Sequence, residues 1–327
     1  MKKRRLGAQG PEIGLIGLGC LSFSGFYGAT NEEESHRTLA RAADLGIDHL
    51  DTANVYGAGV SESVIGGFLR KTGARFTIAT KAGITRNPDH PFDNAPDYLR
   101  RCLEESLRRL GVEHVDLYYV HRREQARPIE EVVETLARFR KEGKIGAIGL
   151  SEVAPSTLER ASAVHPIAAV QSEYSLWTRL PELGLVAACA RHGAALMAFS
   201  PLARGMFTAS PPDPAKLDEK DFRKRNPRFM APNAAYNLAT AARLAAYARD
   251  NGHSPEALAL AWLLHRAPHV VPLPGTRSAE HLAANAKGAE IALTAAQIAE
   301  IEDLLPAGFA HGNRYSAAQD IGPERYC

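Results

Sequence analysis

Short apolar runs alternate along this chain with stretches of helical periodicity, and the runs repeatedly end on a polar residue. Residues 47–51, 76–81 and 115–121 read as strands that finish at Asp51, Lys81 and His121. Later runs finish at Ser151, Gln171, Ser200 and the Gly275-Thr276-Arg277 turn. Strand, helix, strand in this order predicts a parallel sheet with crossover helices. In a closed (β/α) barrel the residues just past each strand surround one pocket, so polar groups placed there in succession read as catalytic or ligand-binding.

The helical spacing predicts helices at 32–45, 61–70, 97–110, 129–141, 155–164, 181–191, 234–250, 254–266, 278–287 and 294–305. Asn31 is a candidate N-cap for the first, whose opening glutamates complement the helix dipole. Gly46, Gly111, Gly143 and Gly193 stand where helices should stop. Strands are expected at 15–18, 194–199 and 269–273 in addition to those above. A Gly/Pro turn within residues 4–14 predicts a hairpin that precedes the barrel and plugs its N-terminal end. Residues 204–233 break the rhythm, and a loop of that length inside a barrel is expected to be functional. The tail, 306–327, has no clear period and is expected to cover the pocket mouth or to move. The whole of 1–327 reads as one domain.

Composition narrows the class. With 39 basic against 37 acidic residues the formal net charge is only +2, and basic runs such as Arg122-Arg123 are short, so nucleic acid is not indicated. No apolar stretch has the length of a signal peptide core or of the roughly 20 residues a membrane span needs. A cytoplasmic location is expected. Cys20, Cys102, Cys189 and Cys327 are scattered without a Cys-x-x-Cys pair, which fits reduced thiols and no metal site.

Tyr56 follows Asp51 by five positions, so both can address one cavity from a single loop. An ammonium beside a phenol stabilises the phenolate, and Lys81 can supply it; Asp51 can keep that lysine charged. Asp51, Lys81 and Tyr56 form a candidate proton relay, with His121 free to hydrogen-bond a substrate oxygen. A barrel lyase with Lys81 as Schiff-base nucleophile is the alternative from the same residues. Gly17-Leu-Gly-Cys-Leu-Ser22 starts like a dinucleotide fingerprint, but Ser22 replaces its third glycine, which argues against a Rossmann fold.

The chain resembles the aldo-keto reductase superfamily. The similarity runs from Gly17-Leu-Gly19 through Asp51-Thr-Ala-Asn-Val-Tyr-Gly57, Leu117-Tyr-Tyr-Val-His121, Gly149-Leu-Ser151, Gln171-Ser-Glu-Tyr174 and Ser200-Pro-Leu202 to Pro272-Leu-Pro-Gly-Thr-Arg277. The stretch Gln171 to Trp177 looks most like the microbial and plant branch that includes pyridoxal reductases. The resemblance implies a (β/α)8 TIM barrel that binds NADPH (NADP+) across its C-terminal face and interconverts carbonyls and alcohols. It implies a tetrad of Asp51, Tyr56, Lys81 and His121, with Tyr56 as general acid in reduction and general base in the reverse direction. A slow-turnover NADPH-binding redox sensor, like relatives associated with ion channels, is a further implied reading.

By the same resemblance Ser151 and Gln171 bind the nicotinamide carboxamide and Tyr174 stacks on the ring. Ser200, Leu202 and Arg204 belong to a pyrophosphate loop, Gly275, Thr276 and Arg277 to a turn that takes the adenosine 2′-phosphate, and Asn285 to the adenine site. Glu152 stands where many members carry an Asn, and His281 where many carry a second Arg. Phe23, Phe26, Tyr56, His121 and Trp177, with the tail near 311–315, are expected to wall the substrate. The substrate itself and the oligomeric state are not written in these motifs, and a monomer is compatible with them.

Overall fold

The computed structural model describes residues 1–219 and 221–326; Cys327 lies outside the described residues. A hairpin, β1 (Lys3–Arg5) and β2 (Glu12–Gly14), precedes eight parallel strands: β3 (Leu18–Gly19), β4 (His49–Asp51), β5 (Thr77–Ala82), β6 (Val115–Val120), β7 (Ile145–Ser151), β8 (Ala169–Glu173), β9 (Ala195–Phe199) and β10 (Val270–Leu273). Each strand pairs with the next in sequence. The ring closes between first and last, where the Gly17 and Gly19 amides donate to the Pro272 and Pro274 carbonyls at 3.0 Å.

Helices α1 (Glu32–Leu45), α2 (Val60–Thr72), α3 (Pro96–Leu110), α4 (Ile129–Lys141), α5 (Pro155–Val164), α6 (Leu185–His192) and α8 (Pro255–Arg266) connect the strands, while α7 (Asn233–Asp250) is an addition before α8. Helices α9 (Ala279–Ala286) and α10 (Ala295–Leu304) follow the last strand. Local chemistry sets their ends. Asn31 accepts from the Glu34 amide at the start of α1, Ser254 caps α8 with Pro255 next to it, and Gly46, Gly111 and Gly193 take the left-handed conformation after their helices.

Strand parity sorts the side chains. Ala79, Leu117, Tyr119, Ala169, Ala195, Met197, Val271 and Leu273 point into the barrel and pack on one another. Their neighbours Ile78, Tyr118, Val120, Val170, Leu196 and Val270 point outward into the helix layer. Leu6 and Ile13 of the hairpin join the inner cluster with no exposure, so the hairpin is the expected plug.

Two expected elements differ. The first strand does not begin at 15, because the Leu15 amide donates to the Lys2 carbonyl and extends the hairpin instead. The expected helix 181–191 is split: a 3-10 turn over Leu180–Leu183 ends at Gly184, whose φ of 135° no right-handed helix accommodates, and α6 begins after it. Cys20, Cys102 and Cys189 are free and buried. Among the described residues no helix is long and apolar enough to cross a membrane.

Because the plug closes the inner cluster, Leu6→Ala should destabilise the protein by about 2–5 kcal/mol in urea unfolding. A change within about 0.5 kcal/mol would show that the hairpin is dispensable to the core.

Candidate active site

The inward parity that fills the barrel continues upward into the mouth. Ala79 leads to Lys81, Leu117 and Tyr119 to His121, Ala147 and Gly149 to Ser151, Ala169 to Gln171, and Ala195 and Met197 to Phe199. The lower layers are mostly apolar, with His49 of β4 an exception, and the top layer is mostly polar. Asp51 and His49 keep the same register on β4.

Lys81 and Asp51 form an ion pair, with the lysine fully buried and Asp51 only 3% exposed. The ammonium also donates to the Thr52 carbonyl at 2.8 Å and to the Tyr56 hydroxyl at 3.4 Å. The second carboxylate oxygen of Asp51 accepts from Gln171 Nε2 at 2.8 Å. Tyr56 enters from the loop after β4 and meets His121 edge to face, with ring centroids 5.8 Å apart. The turn after Tyr56 is left-handed at Gly57 (φ 57°), where a Cβ would come within 2.6 Å of the Ser24 Cβ. A glycine there lets the Tyr56 loop lie against the first βα loop.

The electrostatics differ from a simple lowering of the tyrosine. Burial raises the Tyr56 pKa, and Lys81 offsets that rise only in part, so the phenol is protonated at neutral pH. Burial opposes the Lys81 charge as well, but Asp51 and Tyr56 outweigh it and hold the ammonium above its ordinary range. His121 is held well below its ordinary range by burial, then by Arg122 and Lys81, so the imidazole is neutral. A Schiff-base role needs an uncharged amine, and this pairing opposes it.

Asp51, Tyr56 and His121 line a cavity of about 1010 Å³ that opens across the mouth, and Lys81 is buried behind them. Ser151, Gln171, Ser200, Leu202, Arg204, Gly275, Thr276, Arg277 and Asn285 line it, as do Phe26 and His281. Arg204 is not free for a phosphate: its guanidinium pairs with Glu173 at 3.0 Å and lies over the rings of Phe222 and Tyr315.

Three expectations are corrected. Tyr174 shares the outward parity of Val170; it is fully buried against Trp262, its hydroxyl donates to Glu182 at 2.7 Å, and it does not reach the cavity. Phe199, the inward residue at the end of β9, does line the cavity. Its signal was the parity of Ala195, Met197 and Phe199. Trp177 is buried behind the wall, stacked on Phe229 and covered by Arg228. Phe23 is 1% exposed in the core, whereas its neighbours Leu21 and Ser22 line the cavity.

The tail folds over the mouth. Tyr315, Ala318, Gln319, Ile321 and Gly322 line the cavity, and so does the long loop through Thr208, Pro212, Phe222 and Arg223. Arg314 pairs with Glu152, and Glu324 pairs with Arg123 at 2.5 Å and accepts from the Ala154 amide. Glu152 therefore anchors the tail, and it does not line the cavity. Burial pushes its carboxyl up, but Arg314 and Arg122 prevail and hold it below the ordinary range. Of the residues 311–315, Tyr315 reaches the cavity while His311 stacks on Tyr236.

Residues 15–306 match the aldo/keto reductase family. The chain is 37% identical to the NADP(+) aldo-keto reductase yakc of Schizosaccharomyces pombe over 92% of its own length and 91% of that protein's. It is 38% identical to a probable aldo-keto reductase of Glycine max, over 95% of this chain and 91% of the other. Among solved structures, a glycerol dehydrogenase of Gluconobacter oxydans superposes with a TM-score of 0.84 at 27% identity and covers 99% of both chains. The holo form of an aldo-keto reductase from Bacillus halodurans gives 0.77 at 26% identity, over 94% of this chain and 97% of that one.

In an NMR titration the His121 ring should stay in its neutral form from about pH 8 down past 6. A midpoint near the ordinary imidazole value of about 6.5 would contradict the electrostatic reading.

Proposed function

From the premise that the chain belongs to the aldo/keto reductase family and is an oxidoreductase, we propose that it reduces aldehydes or ketones to alcohols with NADPH, reversibly, through Tyr56. The observation that carries this reading is the buried chain of contacts from Asp51 through Lys81 to the Tyr56 hydroxyl, beside a neutral His121.

Tyr56 holds a proton at neutral pH and can release it to an oxygen on which negative charge develops. The phenolate left behind faces the Lys81 ammonium at 3.4 Å, so charge moves toward a cation that is already in position. Asp51 keeps that cation charged in a buried site. His121 can donate a ring N–H to the same oxygen, and its Nδ1 has no partner in the protein among the described residues. In the reverse direction the phenolate accepts the alcohol proton.

The cavity fits the cofactor. Ser151 and Gln171 offer amide-binding groups at its floor, Phe199 offers a ring face, and Arg277 with the start of α9 offers donors suited to phosphate. Asn285 is the adenine-side candidate. When bound, NADPH supplies the hydride that the carbonyl carbon takes up. Arg277 lies within 3.7 Å of Glu34, so a 2′-phosphate would share its guanidinium with a carboxylate.

Tyr56→Phe should retain NADPH binding by fluorescence titration and lose turnover by about 10²- to 10⁴-fold over a panel of carbonyls that includes pyridoxal. Unchanged turnover would overturn the reading. Repeating the parent assay with NADH tests the cofactor preference.

A further inference from the structure

We infer that Arg122, with Arg86 at the rim, selects carbonyl substrates that carry a carboxylate or phosphate group; this rests on the proposed carbonyl reduction and names the substrate class of the same site. Five arginines line the cavity: Arg86, Arg122, Arg204, Arg223 and Arg277. Three have a carboxylate in hand, namely Glu173 for Arg204, Asp221 for Arg223 and Glu34 for Arg277. Among the described residues no carboxylate lies within 4.0 Å of Arg86 or Arg122.

Arg122 directly follows His121, and its side chain is held in place. Its Nη1 donates to the His121 carbonyl at 2.7 Å and to Ser151 Oγ at 3.1 Å. Gly322 of the tail lies so close that a Cβ there would stand 2.8 Å from Arg122 Cδ and 3.0 Å from the Phe92 ring. The tail thus packs the stem of Arg122 against the mouth. Its Nε and Nη2 donate to no protein acceptor among the described residues. A half-buried guanidinium with a fixed stem and spare coplanar donors is suited to bidentate capture of a carboxylate or phosphate.

Position separates this cation from the cofactor's phosphates. Arg122 lies two residues past β6 and Arg86 lies in the loop after β5, while the phosphate candidates follow β9 and β10, across the ring. The acids that line the cavity are all engaged: Asp51 with Lys81, Glu34 near Arg277, and Glu256 accepting from the Ala209 amide. Glu152, the buried carboxylate that Arg122 acts on through space, is itself paired with Arg314, so Arg122 and Arg86 keep no direct carboxylate partner on this half of the mouth, and low-dielectric walls concentrate their field on an incoming ligand.

The test compares carbonyls that differ in charge: 4-oxobutanoate against butanal, and glyceraldehyde 3-phosphate against glyceraldehyde, each with NADPH. The readout is the ratio of kcat/KM, charged over neutral, which cancels general damage in a variant. The parent enzyme should favour the charged member of at least one pair by about tenfold or more, mainly through KM. Arg122→Gln should lower that ratio by about 10- to 100-fold, Arg122→Lys should restore part of it, and Arg86→Gln should lower it less. Preference confined to one pair identifies carboxylate or phosphate as the group recognised. Ratios near one in both pairs, or a ratio unaltered in Arg122→Gln, would overturn the inference while leaving carbonyl reduction intact. If none of the four compounds is reduced and a wider carbonyl panel is equally inert, the reduction itself fails and the inference falls with it.

Discussion

A fully buried lysine stands at the mouth of this barrel, and the carboxylate of Asp51 is what keeps it charged. Desolvating an ammonium costs several kcal/mol unless an anion and further acceptors replace the lost water. Asp51 and the Thr52 carbonyl replace it here, and Gln171 orients the other oxygen of Asp51. The cation then acts on everything around it. It partly offsets the rise that burial imposes on Tyr56, and it joins Arg122 in keeping His121 neutral. A protonated phenol, a neutral imidazole and a fixed cation around one point are what proton delivery to a carbonyl oxygen requires.

The barrel makes this arrangement inexpensive to position. Alternate residues of each strand share the interior, so the same backbone that buries Ala79, Leu117 and Met197 delivers Lys81, His121 and Phe199 one layer higher. The polar strand ends were legible in the sequence for that reason, as were the alternation of strands and helices and the boundaries of α1, α4 and α5. The tyrosine in the loop was legible because its spacing from Asp51 is local. Tyr174 lies close to Gln171 in sequence, but strand parity turns it with Val170 toward the helix layer. Trp177 and Phe23 are apolar residues near the mouth in sequence, and only packing decides which side of a wall such residues take.

Contacts between distant segments were the least legible. Nothing local in residues 306–326 announces that Arg314 meets Glu152 or that Glu324 meets Arg123 and the Ala154 amide. These pairs nonetheless shape the site. They draw Tyr315 and Gly322 onto the cavity, give Glu152 a role in anchoring the tail, and engage that carboxylate with Arg314, so that Arg122 has no carboxylate within 4.0 Å. The long loop after β9 contributes in the same way, since Phe222 and Tyr315 enclose Arg204 and turn a candidate phosphate ligand into part of the wall. The mouth is thus divided into a side whose arginines form direct ion pairs and a side whose arginines have no carboxylate within 4.0 Å.

The most direct test of the central claim is the pH profile of alcohol oxidation, because in the proposed mechanism that direction runs through the Tyr56 phenolate. In the parent enzyme kcat/KM should rise with pH through one ionisation. In Lys81→Met, with folding checked by circular dichroism, that ionisation should move to higher pH or turnover should vanish. An active Lys81→Met enzyme with the parent profile would contradict the account, since the phenol would then owe nothing to the buried cation.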